Sequence, residues 1–387
     1  TTAEVRDDYE LDPIVGAGEL LVGTRECSTT YLVDWYLGQR FEIRERALGL
    51  LDEHEFASAA LVMTPLAPAD DASIATRSAT YTGKGGVARF EPLTLAQTIN
   101  ATLRDVLAAD DTAVVFGEDV GRKGGVYGVT RGLQKQFGET RVFDTLLDEQ
   151  SILGLGLGIG VGGGLPIPEI QYLAYLHNAE DQLRGEGATL GFFSQSQYVN
   201  PMVLRVAAYA YQRGFGGHFH NDHAVGVLRD IPGLLLASPA HPSDAGPMLR
   251  TCVAAAREQG SVAVYLEPIA RYHTTALFEG DGAWLAPMTA EHVPVGSGRV
   301  HGHGTDATIV TWANGVWLGL RAQRRLAEEH GVQTRVLDLR WLAPFPVADL
   351  LTAAEASGCV LVADETRRSG GVGEGVVTAL VEHGFRG

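Results

Sequence analysis

The sequence predicts an α/β protein with two doubly wound domains, preceded by a helical extension. Short apolar runs alternate with segments of helical periodicity along most of the chain, a pattern typical of a mainly parallel sheet covered by helices on both faces. The alternation is interrupted once and then resumes. At 387 residues, 45% of them hydrophobic, the chain also exceeds the size at which one hydrophobic core stops growing. We therefore expect two cores.

Domain boundaries are predicted where the composition changes. Residues 1–70 are expected to form the helical extension, because apolar side chains recur at helical spacing over 33–62. Residues 71–92 are rich in Pro, Gly, Ser and Thr, which is the composition of a linker. The remaining parts are a first α/β domain over 93–270, a connector over 271–305 and a smaller α/β domain over 306–387.

The first α/β domain is expected to begin with a capped helix. Thr94 is followed three residues later by Gln97, a capping-box signature, and Ile99, Leu103 and Leu107 give an apolar face to a helix of about 14 residues. The second domain should run strand, helix, strand, Pro-rich turn, helix, strand. Further helices of the first domain are predicted near 150–163, 175–190 and 243–258.

Charge and cysteine content exclude several classes of protein. With 30 Lys and Arg against 47 Asp and Glu, the formal charge is −17, so neither nucleic acid nor an anionic membrane surface is an expected partner. Three cysteines lie far apart, which indicates neither a disulfide framework nor a zinc knuckle. No apolar run reaches about 18 residues and the first residues are polar and acidic. These features predict a cytoplasmic protein.

A candidate site is predicted around Glu149, which follows a strand-like segment and begins a glycine-rich helix. A glutamate in the first turn of a helix is also favoured by the helix dipole alone. The next strand, however, should deliver Gln171, Tyr175, His177 and Asn178 at its carboxyl end, where ligands bind in open α/β sheets. A carboxylate beside aromatic and amide side chains suits the heterocycle of a cofactor.

Glycines recur every fourth residue in two stripes of the helix that follows Glu149. Each glycine costs a helix about 1 kcal/mol relative to alanine, so we expect close packing against another backbone, at a subunit interface or inside the protein. Their G-x-G-x-x-G match lies within the helix and not in a strand-to-helix turn, which argues against a dinucleotide site. The stripes are Gly154, Gly158 and Gly162, and Gly156, Gly160 and Gly164.

Three histidines, His218, His220 and His223, lie within six residues. Their spacing matches no strong metal-binding signature, and a proton-transfer histidine is the preferred interpretation, with a metal hydrolase as the alternative. A GDG sequence over 280–282 is similar to a diphosphate-binding motif but lies in the irregular connector. No residue is therefore assigned to a metal, and the chain is expected to supply one half of a shared site.

Six segments, taken in order, closely resemble the beta subunit of thiamine diphosphate-dependent 2-oxoacid dehydrogenase first components, in the transketolase-like superfamily. The resemblance runs from about residue 93 to the end. It implies a thiamine pyrimidine-binding domain followed by a transketolase C-terminal-like domain. The segments are GEDVGRKGGVYGVTRGL (117–133), FDTLLDEQSILGLGLG (143–158), PIPEIQYLAY (166–175), NPMVLR (200–205), IPGLLLASPAHPSDA (231–245) and SGGVGEG (369–375).

Both ends depart from this family pattern. Residues 1–70 are similar to the tail of the alpha subunit in forms where alpha is fused ahead of beta. The chain ends at HGFRG, where the family usually continues, so the C-terminal domain is expected to be incomplete. These features imply part of a longer fused or processed polypeptide.

The resemblance also implies roles for individual residues. Glu149 corresponds to the glutamate that hydrogen-bonds and exchanges a proton with a pyrimidine nitrogen of thiamine diphosphate. Tyr175 corresponds to the aromatic residue against the aminopyrimidine, with Leu147 and Gln171 as further cofactor contacts. His220 corresponds to a histidine near the thiazolium that acts in acyl transfer.

The implied reaction is oxidative decarboxylation of pyruvate or a branched-chain 2-oxo acid, with acyl transfer to a lipoyl group. The implied partners are an alpha subunit or alpha portion, which holds the diphosphate and Mg²⁺, a second copy of this chain in a heterotetramer, and a lipoyl acyltransferase core. The alternatives are a thiamine-dependent carboligase that makes acyloins and a non-catalytic assembly subunit.

Overall fold

The computed structural model describes residues 89–209 and 219–387, and all of them belong to one compact unit. The predicted extension over 1–70 and most of the predicted linker lie outside the described residues, as does His218. Within the described ranges, no helix is both long and apolar enough to cross a membrane.

Helices and strands alternate as predicted, and the α/β fold class is confirmed. The helices of the described ranges are α1 (Leu95–Ala109), α2 (Leu133–Phe137), α3 (Glu149–Val161), α4 (Leu173–Leu176), α5 (Leu190–Phe193), α6 (Val225–Arg229), α7 (Pro242–Gln259), α8 (Asn314–His330), α9 (Val347–Glu355) and α10 (Val372–Glu382). The strands are β1 (Arg89–Leu93), β2 (Ala113–Gly117), β3 (Val142–Asp144), β4 (Leu165–Ile170), β5 (Met202–Ala208), β6 (Leu234–Ala237), β7 (Val262–Pro268), β8 (Ala286–Met288), β9 (Arg299–His301), β10 (Ala307–Thr311), β11 (Thr334–Asp338), β12 (Trp341–Ala343) and β13 (Val360–Val362).

The first sheet has the order β12-β6-β7-β5-β4-β2-β3, and only β12 runs antiparallel to its neighbour. A second sheet has the order β13-β10-β11-β9 with β9 antiparallel, and β1 pairs with β8 in a small antiparallel ribbon. One hydrophobic core lies between the first sheet and helices α1 and α7. The other core contains side chains of α3 and continues into the second sheet. Buried apolar side chains of this core therefore join the first sheet to the second.

The sequence signal for the start of α1 is confirmed, whereas one helix of the first domain differs from the prediction. The capping box of α1 is present, since the Thr94 hydroxyl accepts from the Gln97 amide (3.3 Å) and the Gln97 side chain accepts from the Thr94 amide (2.9 Å). The helix predicted near 175–190 is instead broken into α4, a single 3₁₀ turn, a wide π-helical turn and α5. Gly185 and Gly187 lie in the wide turn, and such turns are common near functional sites.

The Pro-rich segment after β11 also differs from the prediction. Residues Trp341–Ala343 form β12 and pair with β6 of the first sheet, although in the chain they lie between β11 and β13 of the second sheet. Trp341 is fully buried there. A three-residue strand whose partner lies about 100 residues away has no local sequence signature.

A buried ion cluster crosses three strands of the first sheet. Arg205 on β5 donates to Glu169 on β4 (Nη1–Oε2, 2.7 Å) and to Glu267 on β7 (Nε–Oε1, 2.7 Å). The Tyr272 hydroxyl also donates to Glu267, at 2.5 Å. Burial acts to lower the pKa of Arg205, but the two carboxylates outweigh it and raise that pKa. The cluster holds β4, β5 and β7 in register just below their carboxyl ends.

Candidate active site

The predicted site residues meet where neighbouring strands of the first sheet end. The β3–α3 loop carries Leu147 and leads to Glu149, while Glu118 follows β2 and Gln171 follows β4. Because β4, β2 and β3 are adjacent and parallel, these residues converge at one edge of the sheet. They surround a cavity of about 550 Å³, lined by Glu118, Leu147, Glu149, Gln171, Ala174, Tyr175, His177, Asn178 and Phe219.

Glu149 is the first residue of α3, and only 8% of it is exposed. The Asn178 side-chain amide donates to its Oε2 at 2.8 Å. No other side chain of the described residues hydrogen-bonds this carboxylate, which leaves Oε1 available to a ligand in the cavity. The helix dipole favours the negative charge at this position.

Tyr175 and His220 form a hydrogen-bonded pair beside the cavity. The Tyr175 hydroxyl lies 2.6 Å from Nε2 of His220. The Tyr172 ring packs edge-on against both, with ring centroids 4.9 Å from His220 and 5.5 Å from Tyr175. Burial, followed by the charge interactions of Tyr172, Glu118 and Glu149, raises the pKa of Tyr175. The tyrosine therefore keeps its proton at neutral pH.

Gln171 and Leu147 line the opposite parts of the cavity. The Gln171 amide nitrogen donates to the carbonyl oxygen of Glu118 at 3.3 Å, so its Oε1 is the atom left to accept from a ligand. Leu147 is 72% exposed, an unusual situation for a leucine in a cavity wall. Burial, and then the charges of Asp119 and Glu149, raise the pKa of the Glu118 carboxyl.

At the rim of the cavity, side chains that follow strands of the first sheet contact a side chain that follows a strand of the second sheet. Nε2 of His177 lies 3.1 Å from Oδ2 of Asp222, and Arg367, which follows β13, donates to the other oxygen at 3.0 Å. Burial acts to raise the pKa of Asp222, but the contacts of His177 and Arg367 outweigh it and hold that pKa below its usual value. Asp222 thus fixes His177 at the mouth of the cavity.

His223 faces a separate cavity of about 420 Å³ and not the one around Glu149. Burial lowers the pKa of His223 to about 4, partly opposed by Asp222 and Asp364. The ring is therefore neutral at physiological pH, unlike a general base tuned to titrate near 7. Of the two histidines of the sequence cluster that the structure describes, His220 is the one joined to the Glu149 cavity through Tyr175.

The GDG sequence forms a surface turn. Oδ1 of Asp281 accepts the backbone amides of Leu277 and Ala283, both at 3.0 Å, and Oδ2 accepts that of Phe278 at 2.9 Å. Its carboxylate is thus occupied by its own loop. Across residues 89–209 and 219–387, no group of three or more His, Cys, Asp or Glu side chains is arranged to hold a metal ion.

Sequence reasoning missed Glu118, Phe219 and the partnership of Arg367. Glu118 stands directly after a buried strand, so the strand-end argument that selected Gln171 would have found it as well. Phe219 has no periodic or motif signal around it. Arg367 lies 145 residues from Asp222, and nothing local predicts the contact.

Comparisons with known proteins identify the family of the chain. Residues 91–268 match the family described as transketolase, pyrimidine binding domain, and residues 296–387 match the transketolase C-terminal domain. A solved structure described as a split gene transketolase, an inactive beta4 tetramer, has a TM-score of 0.56 at 20% identity, over 76% of this chain and 87% of that one. This likeness indicates the fold alone.

Curated relatives are closer in sequence. The chain is 35% identical over 295 residues to the pyruvate dehydrogenase E1 component subunit beta of Staphylococcus epidermidis, covering 75% of this chain and 85% of that protein. It is 33% identical to the 3-methyl-2-oxobutanoate dehydrogenase subunit beta of Mycobacterium tuberculosis, covering 76% and 81%. The chain therefore belongs to the family of beta subunits of the 2-oxoacid dehydrogenase first component.

Proposed function

We propose that this chain supplies the aminopyrimidine-binding half of a thiamine diphosphate site that decarboxylates a 2-oxo acid, pyruvate or a branched-chain acid. The observation that carries this proposal is Glu149, a nearly buried carboxylate in the wall of a ligand-sized cavity, whose Oε2 accepts from Asn178 and whose Oε1 has no side-chain partner among the described residues. The membership of the family supports the cofactor. The names of the two relatives support both candidate substrate classes.

The side chains of the cavity fit an aminopyrimidine. The heterocycle needs a carboxylate for a ring nitrogen, an acceptor for the exocyclic amine and a flat apolar contact for its face. Glu149, the Oε1 atom of Gln171 and the Tyr175 ring provide these three groups, and Leu147 adds an exposed apolar surface. Thiamine diphosphate, when bound, supplies the electron sink for loss of carbon dioxide.

Each residue then has a defined task. Glu149 exchanges a proton with the pyrimidine ring nitrogen through Oε1, while Asn178 holds Oε2 in place. Tyr175 orients His220 through the 2.6 Å hydrogen bond. His220 provides or removes a proton at Nε2 or Nδ1 during transfer of the acyl group to a lipoyl arm. Phe219 and Leu147 exclude water from the reacting centre.

The remaining parts of the site belong to partners. We infer that an alpha subunit, or an alpha portion of a longer polypeptide, holds Mg²⁺ and the diphosphate. A second copy of this chain completes a heterotetramer, and the lipoyl acyltransferase core receives the product. We also propose that the enzyme is cytoplasmic, as its sequence predicts.

The test is decarboxylation of a panel of 2-oxo acids by the complete assembly with thiamine diphosphate, Mg²⁺ and an artificial electron acceptor. Glu149→Gln should reduce the rate by about 10²–10⁴-fold, the usual contribution of a proton-transferring group. Glu258→Gln, at an exposed position on α7, is the matched control and should leave the rate unchanged. Full activity of Glu149→Gln would refute the assignment.

Acyl transfer is tested separately. His220→Gln should slow acylation of a lipoylated domain more than reduction of the artificial acceptor, because the histidine acts after decarboxylation. Equal losses in both assays would contradict that role. Formation of an acyloin from an added aldehyde, without any lipoyl acylation, would identify the chain as part of a carboligase.

A further inference from the structure

A third cavity, which shares no lining residue with the one around Glu149, lies beside α1 and has a volume of about 660 Å³. Three arginines and one histidine line it, and none of the described residues in its wall is acidic. This composition is unexpected in a chain with a formal charge of −17. The wall consists of Arg89, Leu93, Thr94, Ala96, Gln97, Asn100, Ala101, Arg104, Tyr127, Gly128, Arg131 and His273.

The positive charge around this cavity is only partly neutralised. Asp105 forms an ion pair with Arg89, in which Nη2 and Oδ1 are 2.9 Å apart. The same carboxylate also interacts with the charges of Arg104 and Arg250. Arg250 is 1% exposed, and within the described ranges its Nε and Nη2 have no hydrogen-bond partner. Within the described ranges, the one carboxylate of Asp105 therefore faces three guanidinium groups, those of Arg89, Arg104 and Arg250. Arg131 adds a fourth positive charge.

The arginines of the wall are held in place. Asn100 donates to the carbonyl oxygens of Val129 (2.7 Å) and Arg131 (3.1 Å), and its own oxygen accepts from Nη2 of Arg104 at 3.0 Å. Nε of Arg104 is buried and has no acceptor among the residues that the structure describes. One asparagine thus fixes both Arg104 and the backbone of Arg131.

Arg131 is positioned by a glycine. A Cβ atom at Gly128 would come within 3.2 Å of Nη2 of Arg131, so the guanidinium lies directly over the glycine backbone. Gly128 also has φ +76°, a conformation that other residues rarely adopt. Neither an acceptor nor an ion-pair partner is found for the Arg131 side chain in the described part of the chain. Its guanidinium is free to bind a ligand.

We propose that this cavity binds a phosphate dianion, carried by a small phosphate monoester. Within the wall, Arg89 is paired with Asp105, so Arg104 and Arg131 contribute two positive charges, which a phosphate dianion matches. Arg250, which lies outside the wall, adds positive charge nearby. Guanidinium groups bind phosphate oxygens in bidentate geometry, and the volume lies in the range of small-molecule sites. The Tyr127 and His273 rings offer contacts for the organic part of the ester. This site is independent of the proposed thiamine chemistry.

Aromatic side chains connect this cavity, here named the arginine cavity, to the candidate active site. The Tyr127 hydroxyl, in the wall of the arginine cavity, donates to the Tyr172 hydroxyl at 3.1 Å, and the Tyr172 ring contacts His220. Nε2 of His273 lies 3.1 Å from the Tyr127 carbonyl oxygen. A ligand on the arginines would therefore touch a tyrosine that belongs to the same aromatic cluster as His220.

The test is calorimetric titration of the complete assembly with phenyl phosphate, in phosphate-free buffer, both with and without saturating thiamine diphosphate and Mg²⁺. Saturable binding is expected in both conditions, and phenol should give none. Arg131→Gln and Arg104→Gln should each weaken binding about tenfold or more, since each removes a charge-assisted hydrogen bond. Arg325→Gln, which alters an exposed arginine on α8, is the matched control and should bind like the wild type.

Inorganic phosphate is the second probe, because it distinguishes the two sources of the anion. Competition by inorganic phosphate at similar affinity would show that the site recognises the free anion, whereas much weaker competition would show recognition of the ester. Arg131→Gln leaves the fold intact because the side chain is exposed, which circular dichroism verifies. No saturable binding of phenyl phosphate, or equal affinity in the wild type and both variants, would overturn the proposal.

Discussion

Glu169 and Glu149 are almost equally buried, with 7% and 8% of each residue exposed, yet their surroundings differ. Glu169 lies within β4 and receives Nη1 of Arg205 at 2.7 Å, in a cluster closed on its other side by Glu267. Glu149 lies at the end of a helix beside a cavity and receives one neutral amide. The first carboxylate is neutralised by an ion pair and the second is not.

This difference separates a structural carboxylate from a functional one. A buried charge that is fully paired stabilises the strands that carry it, whereas a buried charge with a spare acceptor oxygen is available for proton exchange. Substitutions at the two places should accordingly affect different properties. The ion cluster should control stability, and the cavity should control activity.

Removing the guanidinium from the ion cluster should have the largest effect. Arg205→Met leaves Glu169 and Glu267 buried without their cation, and we expect a loss of about 3–5 kcal/mol in the free energy of unfolding. Chemical denaturation of the assembly measures this loss. Arg325→Met, at an exposed ion pair, serves as the control and should change the same quantity by less than about 1 kcal/mol. An Arg205→Met variant that kept its stability but lost its activity would contradict the structural role assigned to Glu169.

The two glycine stripes of α3 give the next largest effect. A Cβ at Gly160 would come within 2.7 Å of the Pro201 carbonyl oxygen, whereas one at Gly158 would meet no atom of the described residues within 4 Å. Gly160→Ala should therefore cost about 1–2 kcal/mol of stability, while Gly158→Ala should gain about 0.5–1 kcal/mol. Thermal unfolding distinguishes them, and equal shifts would contradict the packing described for Gly160.

The glycine stripe of α3 that contains Gly158 is the one that a partner subunit can contact. Gly158→Leu should leave the fold of the chain unchanged and disrupt the assembly, because Gly158 faces away from the chain's own backbone. Light scattering measures the mass of the assembly. An unchanged mass would refute a subunit contact at this face of α3.

His223 offers a test based on pH, in which the effect on stability is close to zero at pH 7 and grows only as the pH falls. Its pKa is lowered to about 4 in the folded state from 6.5, so its contribution to stability is present above pH 6.5 and is lost as the pH falls toward 4. The loss is at most about 3 kcal/mol. His223→Gln should lose less stability than the wild type between pH 7 and pH 4. Parallel curves for the two proteins would mean that the histidine is not buried as described.

The smallest effect is expected at the rim of the cavity. Asp222→Asn weakens the contacts to His177 and Arg367, and we expect KM for the 2-oxo acid to rise several-fold while kcat stays nearly constant. Steady-state kinetics measures both parameters. A large fall in kcat with unchanged KM would instead place Asp222 in the chemical step.

The parts of the structure that sequence could predict are those determined by local patterns. The capping box at Thr94 depends on two residues three apart, and the position of Glu149 depends on a strand that ends just before a helix. The convergence of Glu149, Gln171 and Tyr175 then follows because adjacent parallel strands end at one edge. Each step uses short separations and regular periodicity.

The parts that sequence could not predict depend on distant residues. The pairing of Asp222 with Arg367 and of β12 with β6 depends on packing between the two layers, for which a single sequence holds no signal. The broken helix after Tyr175 shows another limit, since helical periodicity continues across glycines that interrupt the helix. The arginine cavity likewise brings together residues of α1, the loop before α2 and the turn after β7.

Strand β12 connects the C-terminal part of the chain to the edge of the first sheet. Residues 341–343 lie in the C-terminal half of the chain, yet they cover the edge of the first sheet at β6, and Arg340 beside them forms an ion pair with Asp244 of α7. A chimera joined within the connector, with the C-terminal domain of a distant relative, would replace this strand and risk an exposed β6 edge. We therefore expect functional chimeras between family members to require that β6 and β12 come from the same parent.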